Sequence, residues 1–281
     1  MKSITQDEYL QRIYRVIDYI EANYQETLDM ETLARVAGFS TYHFHRVFKA
    51  IIGENLGDYL RRVRLQNSTT GLKNALSVTE VAMNSGYETH ASFAKAFKNR
   101  FGLSPKAFAQ NYKNRTGVVM KGIKIVEREP VEVLYVRKTG DYMQSAGEAF
   151  GVLMAFAYQK KIGEKKNLMG KEAVMYGIGH DDPNITPAEE LRYDACISYD
   201  DKSVEPTGEI GVKTIEGGRY VNYLHKGLYE GLKEVYANMM QWIMENEYAL
   251  ANRPCFEIYH NRDPRRTKPE NLKTEIFMAV E

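Results

Sequence analysis

Cysteine is scarce in this chain. Its 281 residues hold two, Cys196 and Cys255. Two are too few for a disulfide framework and, unaided, for a zinc site. A reducing cytoplasm fits that usage. Tryptophan occurs once, at Trp242, and proline does not appear before Pro105. No apolar run approaches the roughly 20 residues that span a bilayer, so no membrane segment is expected. The opening MKSITQDEYL has no basic stretch followed by an apolar one, and is not expected to be a secretory signal. There is no Ser-His-Asp, Cys-His or metal-ligand constellation and no Gly-rich phosphate loop, so no catalytic residue, metal or cofactor is assigned. His43 and His45 stand two apart, which points them to different helix faces and argues against a metal pair. What is plentiful is core-forming material: 20 Tyr, 11 Phe and 43% hydrophobic residues against 27% charged, which excludes disorder as the main state.

Charge of one sign is lacking overall, but not locally. The net charge is +1. Residues 1–117 carry 16 basic and 11 acidic residues, and residues 118–281 carry 22 and 26. Residues 40–117 alone hold 12 basic and 4 acidic. A basic segment joined to a slightly acidic one is the asymmetry expected when one domain binds polyanion and the other does not.

The hydrophobic period changes where the charge changes. Ile13, Val16, Ile17 and Ile20 mark one face of an amphipathic helix, and Ser104-Pro105 reads as an N-cap with proline at the first helical position. After Gly117, the sets Ile123, Ile125 and Val131, Val133, Tyr135 alternate at strand spacing. The boundary is expected within 116–122, giving domains at 1–117 and 118–281.

The first part repeats itself. Leu33, Ala34, Gly38 and Phe39 match Val81, Ala82, Gly86 and Tyr87, and Phe44, Phe48, Lys49 and Gly53 match Phe93, Phe97, Lys98 and Gly102. Each copy reads as a short helix, a turn through glycine and a longer helix ending at glycine, which is a helix-turn-helix. The recognition helices are expected near Thr41–Ile52 and Thr89–Phe101, with a connecting helix over Leu56–Ser68. Phe44, Val47, Phe48, Phe93 and Phe97 face inward. Tyr42, His43, His45, Arg46 and Lys49, and His90, Ser92 and Lys95, then face outward, toward a major groove wide enough for one helix. Arg61, Arg62, Lys73, Lys98, Arg100 and Lys106 suit phosphates.

These residues resemble the DNA-binding domain of the AraC/XylS family of transcription regulators, over roughly residues 8–115. The two FK-x3-G endings, Tyr59 and Arg64 on the connecting helix, and Gly102-Leu103-Ser104-Pro105 carry the resemblance. The chain departs from the family at Leu56, where proline is usual, and at Ala109, where arginine is usual. The resemblance implies base reading by Tyr42, His45 and Arg46 and by His90, Ala91, Ser92 and Lys95; Lys49 on the outward face and Arg61 and Lys98 toward phosphates, read from helix geometry and charge, complete the expected DNA surface. It implies double-stranded DNA as a partner, with RNA polymerase a further candidate.

The second part is also a repeat. Gly140, Tyr142, Val152, Leu153 and Phe156 match Gly227, Tyr229, Met239, Met240 and Ile243. Each half reads as strand, Gly-x-Tyr, helix and two strands, the later strands being Val174–Ile178 and Asp194–Tyr199, then Phe256–Tyr259 and Thr274–Val280. Such halves form a pseudo-symmetric α+β domain with a cleft where they meet. The Gly-x-Tyr turns, Trp242, Glu257-Ile258-Tyr259 and Thr274-Glu275-Ile276 resemble the GyrI-like effector-binding domain, a duplicated SHS2-type fold, over about 120–281. That resemblance implies a small, lipophilic, cationic effector in an aromatic pocket centred on Glu275 and including Tyr142, Tyr176, Tyr193, Trp242, Glu257 and Tyr259. Aromatic faces attract a cation by about 0.5–2 kcal/mol each. It also implies an alternative, small-molecule hydrolysis with Glu275 and Glu257 as acid and base. A pocket behind a DNA-reading module has a sensor explanation, so the expectation is a regulator and not an enzyme.

Overall fold

The computed structural model describes residues 6–113, 120–162, 173–200, 202–261 and 264–281. The chain forms two compact units, Met1–Asn114 with Thr207–Gly211, and Arg115–Pro206 with Val212–Glu281. Residues 114–119, within which much of the expected boundary falls, lie outside the described residues, as do Arg262 and Asp263 of the expected loop at 261–264.

The first unit is helical: α1 (Gln6–Asn23), α2 (Met30–Ala37), α3 (Thr41–Ile52), α4 (Leu56–Lys73), α5 (Val78–Asn84), α6 (His90–Phe101) and α7 (Pro105–Lys113). Short polar side chains start these helices by accepting orphan backbone N–H groups. Asp29 caps α2, Ser40 α3, Asn55 α4 and Thr89 α6. Ser77 and Glu80 cap each other's backbone at α5, a reciprocal box. Asn55 caps with Oδ1 3.0 Å from Asp58 N, while Leu56 turns into the core, so the helix starts without the usual proline.

Ile13, Val16, Ile17 and Ile20 of α1 pack with Leu33, Ala34 and Ala37 of α2, Phe44 and Phe48 of α3, and Leu56, Tyr59 and Val63 of α4. In the second lobe Phe97 meets Phe101 at 4.6 Å and Phe108 of α7 at 5.6 Å between ring centroids. Helix α4 packs on both α3 and α6 and runs five residues beyond its expected end at Ser68. Ser68 and Thr69 allow the extension because their hydroxyls donate back to the Leu65 and Gln66 carbonyls.

The second unit is an eight-stranded sheet in the order β1-β6-β8-β7-β3-β4-β2-β5. Its elements are β1 (Lys124–Arg128), β2 (Val131–Thr139), α8 (Tyr142–Gln159), β3 (Met175–Gly179), β4 (Arg192–Ser198), β5 (Gly211–Ile215), β6 (Gly218–Lys226), α9 (Leu232–Glu245), β7 (Phe256–Tyr259) and β8 (Lys273–Ala279). The sequence repeat becomes a structural one. Each half supplies two strands, a helix and two more strands, and each half's first strand joins the other half's side of the sheet: β1 pairs with β6, and β5 lies beside β2. The halves meet at β3 and β7. Helix α8 packs on β2 and β4, and α9 on β6. The opposite face carries its own apolar layer, including Tyr135, Tyr176, Cys196, Phe256 and Phe277.

Candidate functional site

In the first unit the outward faces of both recognition helices are open. Tyr42, His45, Arg46 and Lys49 of α3, and His90, Ala91, Ser92, Lys95 and Lys98 of α6, are all exposed, and so is Arg61 of α4. Tyr42 is 76% exposed, and the Arg46 guanidinium lies 5.8 Å from its ring, a pairing one helical turn apart. Arg61 spends one amino group on Asp58 at 2.7 Å.

Two expectations fail in this unit. His43 does not join the outward face. Its Nε2 lies 3.1 Å from the Tyr9 hydroxyl and its ring meets Phe39 edge-on at 5.0 Å, so it belongs to the seam with α1. Arg62 is not a phosphate ligand. Its side chain is 10% exposed, paired with Glu54 and stacked 4.9 Å from Tyr59. His43 is taken up by Tyr9 of the neighbouring α1, and Arg62 by Glu54 in the loop before its own helix and by Tyr59 within it.

In the second unit register decides which candidates meet. Across the β3–β7 junction Gly177 lies opposite Glu257, and Glu257 lies opposite Ile276 of β8. Glu275 lies opposite Ile258, and Tyr176 opposite Ile258 on its other side, so Glu275 and Tyr176 share the face away from Glu257. Tyr176 packs against Phe256 there, at 6.1 Å between rings. Glu275 lies 3.1 Å from His260, with both side chains partly exposed. Trp242 stacks on Tyr248 in the α9 core, at 5.9 Å and 12°. The structure therefore brings together Tyr142, Tyr193, Tyr259 and Glu257, and does not bring Glu275 or Tyr176 to them. Glu257 and Glu275, on opposite faces, do not form an acid–base pair.

Glu257 is the centre of the resulting cluster. Tyr236 of α9 donates to its Oε1 at 3.0 Å, Tyr259 donates to its Oε2, and the Tyr193 and Tyr259 hydroxyls lie 2.7 Å apart. Phe150 of α8 meets Tyr259 at 5.5 Å and Tyr193 at 6.4 Å, Tyr229 meets Tyr259 at 5.8 Å, and Tyr142 meets Tyr193 at 6.0 Å. Gly177 makes the arrangement fit, because a Cβ there would lie 2.1 Å from the Tyr193 hydroxyl and 2.7 Å from that of Tyr259.

Burial pushes the Glu257 carboxyl above its usual value, against hydrogen bonds from Tyr259 and Tyr236 and the attraction of His225. Burial, reinforced by Glu257, pushes Tyr193, Tyr236 and Tyr259 well above the usual phenol range, so all three hydroxyls keep their protons. Phe150, Gly177, Tyr229 and Tyr236 were not anticipated. Tyr229 was within reach, since the repeat makes it the counterpart of Tyr142.

A second charged group lies on the opposite face. Asp194 of β4 is fully buried and accepts from Arg137 of β2 at 2.6 and 2.8 Å and from Lys213 of β5 at 2.8 Å, with His180 at 2.7 Å. Burial alone would raise the Asp194 carboxyl; Arg137, Lys213 and His180 outweigh it and hold the group well below the carboxylate range.

Comparison with known proteins gives these two units a family. Residues 122–281 match the model of the GyrI-like small molecule binding domain, and residues 33–111 match a helix-turn-helix domain. The chain belongs to the GyrI-like family. With a helix-turn-helix domain ahead of that domain, it is a transcription regulator of the AraC type. The right origin-binding protein of Escherichia coli is 25% identical over 281 residues, covering 93% of this chain and 95% of that protein. The transcriptional regulator Rob of Salmonella typhimurium is 20% identical over 280 residues, with the same coverage. A DNA gyrase inhibitor of Erwinia billingiae is 30% identical over 142 residues, covering 50% of this chain and 86% of that protein. Among the described residues no helix is long and apolar enough to cross a membrane.

Proposed function

We propose that this regulator reads duplex DNA with the exposed faces of α3 and α6, and that its GyrI-like domain is a receptor for a small lipophilic cation seated against Glu257. One observation carries the receptor reading: a half-buried carboxylate ringed by tyrosines at the junction of the two halves. A desolvated carboxylate is costly unless hydrogen-bonded, protonated or matched to a cation. Among the described residues its hydrogen bonds come from Tyr236 and Tyr259. A cationic ligand supplies the missing positive charge, while Phe150, Tyr193, Tyr229 and Tyr259 offer aromatic faces to its apolar body. The reading moves the charge partner from Glu275, the expected centre, to Glu257.

Calorimetry with benzyltrimethylammonium and its neutral carbon isostere neopentylbenzene tests the electrostatic part. Glu257→Gln keeps the shape and removes the charge, so it should weaken the ammonium by about tenfold or more and the isostere little. Equal losses for both ligands would overturn the mechanism. Glu275→Gln serves as the control and should change neither. The separation of Glu257 from Glu275 supports a receptor over hydrolysis, and turnover of an activated ester that vanished in Glu257→Gln would reverse that preference. Contact with RNA polymerase and a cytoplasmic location belong to the same reading, because a promoter-bound regulator acts where transcription starts.

A further inference from the structure

The duplication in the first unit extends one helix further back than the sequence repeat, and the extension carries one arginine in each copy. In copy one, Arg12 of α1 donates through Nη1 to the Gly38 carbonyl at 2.9 Å and toward that of Ala37 at 3.4 Å. In copy two, Arg64 of α4 donates through Nη1 to the Gly86 carbonyl at 3.2 Å. Gly38 and Gly86 are the matched turn glycines, both left-handed, with φ of 66° and 73°. Helices α1 and α4 thus stand in the same relation to the turns they precede, and α1-α2-α3 and α4-α5-α6 are two copies of one three-helix unit.

The chemistry at the two places is alike. A left-handed glycine is the C-cap of α2 and directly follows Ser85, the C-cap of α5, leaving carbonyls at the negative end of each helix. A guanidinium is the side chain best shaped to hold several such oxygens at once. Each glycine presses on its arginine: a Cβ would lie 3.1 Å from Arg12 Nη1 at position 38 and 3.0 Å from the Arg64 guanidinium at position 86. The turn is the joint that aims the recognition helix, so an arginine fixing the turn also fixes the aim.

The two arginines differ in reach. Arg12 works within its own copy, lying 5.1 Å from the Phe39 ring, which stacks on Tyr9 at 5.4 Å and meets His43 of α3 at 5.0 Å. Arg64 reaches across copies. Besides Gly86 it donates through Nε to the Tyr24 carbonyl at 2.8 Å and through Nη2 to that of Glu26 at 2.7 Å, both just after α1. One side chain therefore ties the second turn to the first lobe.

We infer that Arg12 and Arg64 are equivalent positioning residues, one for each helix-turn-helix, and that Arg64 in addition sets the separation of α3 from α6 and hence the operator spacing the protein accepts. Arg12 governs the half of the operator met by α3. Arg64 governs the half met by α6 and the register between halves, which for two successive major-groove segments is about one turn of DNA, roughly 34 Å. The inference rests on the DNA-binding reading and specifies how the scaffold delivers it.

The test uses the full chain and duplexes it selects itself from a randomised pool. Wild type, R12A, R12K, R64A and R64K are footprinted on the selected duplex and titrated against versions with one base pair inserted or removed between the two protected segments. Wild type should lose about tenfold in affinity for the altered spacings. R12A should lose protection over one segment only and keep the spacing penalty. R64A should bind the parent duplex more weakly, while its spacing penalty shrinks to about twofold. R64K, which reaches one carbonyl rather than three, should fold and still show the smaller penalty, so it gives the reading if R64A melts early. R12K should restore most of the protection lost in R12A. Uniform weakening of both segments with an unchanged spacing penalty in R64K would overturn the inference, leaving the arginines as fold stabilisers. Failure of wild type to enrich any duplex would instead overturn the DNA-binding reading on which it rests.

Discussion

The two units keep their charges in opposite places. In the first, the core is apolar, built from residues such as Ile13, Phe44, Phe48, Phe93 and Phe97, and the candidate binding cations stand in solvent on α3 and α6. In the second, the charges that matter are drawn inward, with Asp194 fully buried under Arg137, Lys213 and His180 and Glu257 half-buried under tyrosines. On the proposed function, the difference follows from what each surface meets. A polyanion is wide and charged along its length, so exposed cations reach it and counterion release drives binding. A small cation offers little surface, and one carboxylate attracts it well only where water is excluded. Surface charge is thereby bound to ionic strength, and buried charge to desolvation and fold stability.

The largest expected effect is at the buried end of this comparison. Asp194→Asn removes the anion that gathers Arg137, Lys213 and His180, and breaking such a buried pair costs about 3–5 kcal/mol. Denaturant unfolding of the second unit checks it. The sign with pH follows from the low carboxyl value: the stabilisation is present above the unfolded value near 3.8 and is lost as pH falls through the lower folded value. A loss under 1 kcal/mol in Asp194→Asn would mean the cations are held by other partners, and would erase the contrast between the units.

At the exposed end, Arg46→Ala should cost about 1–3 kcal/mol of DNA affinity and relax preference at one base position. Competition binding on the selected duplex measures both. The same titrations should show affinity falling steeply between roughly 50 and 200 mM salt. Ammonium binding at Glu257 should change less over that range, because a half-buried charge is screened less than exposed ones. Similar salt slopes for both ligands would break the distinction.

Much of the first unit was legible because helical periodicity, caps and matched glycines are local signals. Thr41–Ile52 is the extent of α3, and Thr89 is the N-cap of α6 rather than its first residue. His43 and Arg62 were misjudged because the partners that take up a flank, Tyr9 of α1 for one and Glu54 in the preceding loop for the other, are not written in the period of one helix. The second unit was legible in outline, with β7 beginning and ending where expected, but β5 was missed: Gly-Val-Lys-Thr-Ile carries too few alternating residues to stand out. The site was less legible for a related reason. Alternation put Glu275 and Phe277 on one face, but whether Glu257 shared it depended on the pairing of β7 with β8, and a shift of one residue reverses the answer. Gly177 offered no signal, since its importance is the space it leaves beneath two tyrosines 16 and 82 positions away.

A pH-bounded effect sharpens the buried side further. The Glu257 carboxyl sits above its ordinary value near 4.5, so in the window above that value the folded state holds its proton more tightly than the unfolded chain does. Stability then falls as pH rises through the window and stays lower beyond it. Glu257→Gln keeps one acceptor oxygen, puts an NH2 donor in place of the other, toward which a tyrosine hydroxyl can turn to accept, and removes the titration, so its unfolding temperature at pH 7 should exceed that of wild type while the two converge near pH 4. On the receptor reading, ligand specificity then comes at a cost in stability. A Glu257→Gln protein less stable than wild type at pH 7 would show that the charged form is better satisfied than the tyrosines alone imply.

The smallest expected effect compares the two recognition modules themselves. Helix α5 starts with a closed reciprocal cap: Ser77 Oγ accepts from Glu80 N at 3.2 Å, and Glu80 Oε2 accepts from Ser77 N at 2.9 Å. That bond and the helix N-terminus favour the charged carboxylate, and Glu80 is held below its usual value by its bonds to Ser77. Helix α3 starts with Ser40 alone, its Oγ a long 3.4 Å from His43 N. Ser77→Ala should therefore cost about 1 kcal/mol and Ser40→Ala a fraction of that, in thermal unfolding at neutral pH. The Ser77→Ala loss should shrink as acid protonates Glu80, because the wild-type box then loses its charged acceptor. Equal costs at the two serines, with no pH dependence at Ser77, would mean that tertiary packing starts both helices and that the cap geometry contributes little. The ordering Ser77 over Ser40 would show that a closed reciprocal cap holds the first helix of the second module more firmly than a lone serine holds the recognition helix of the first.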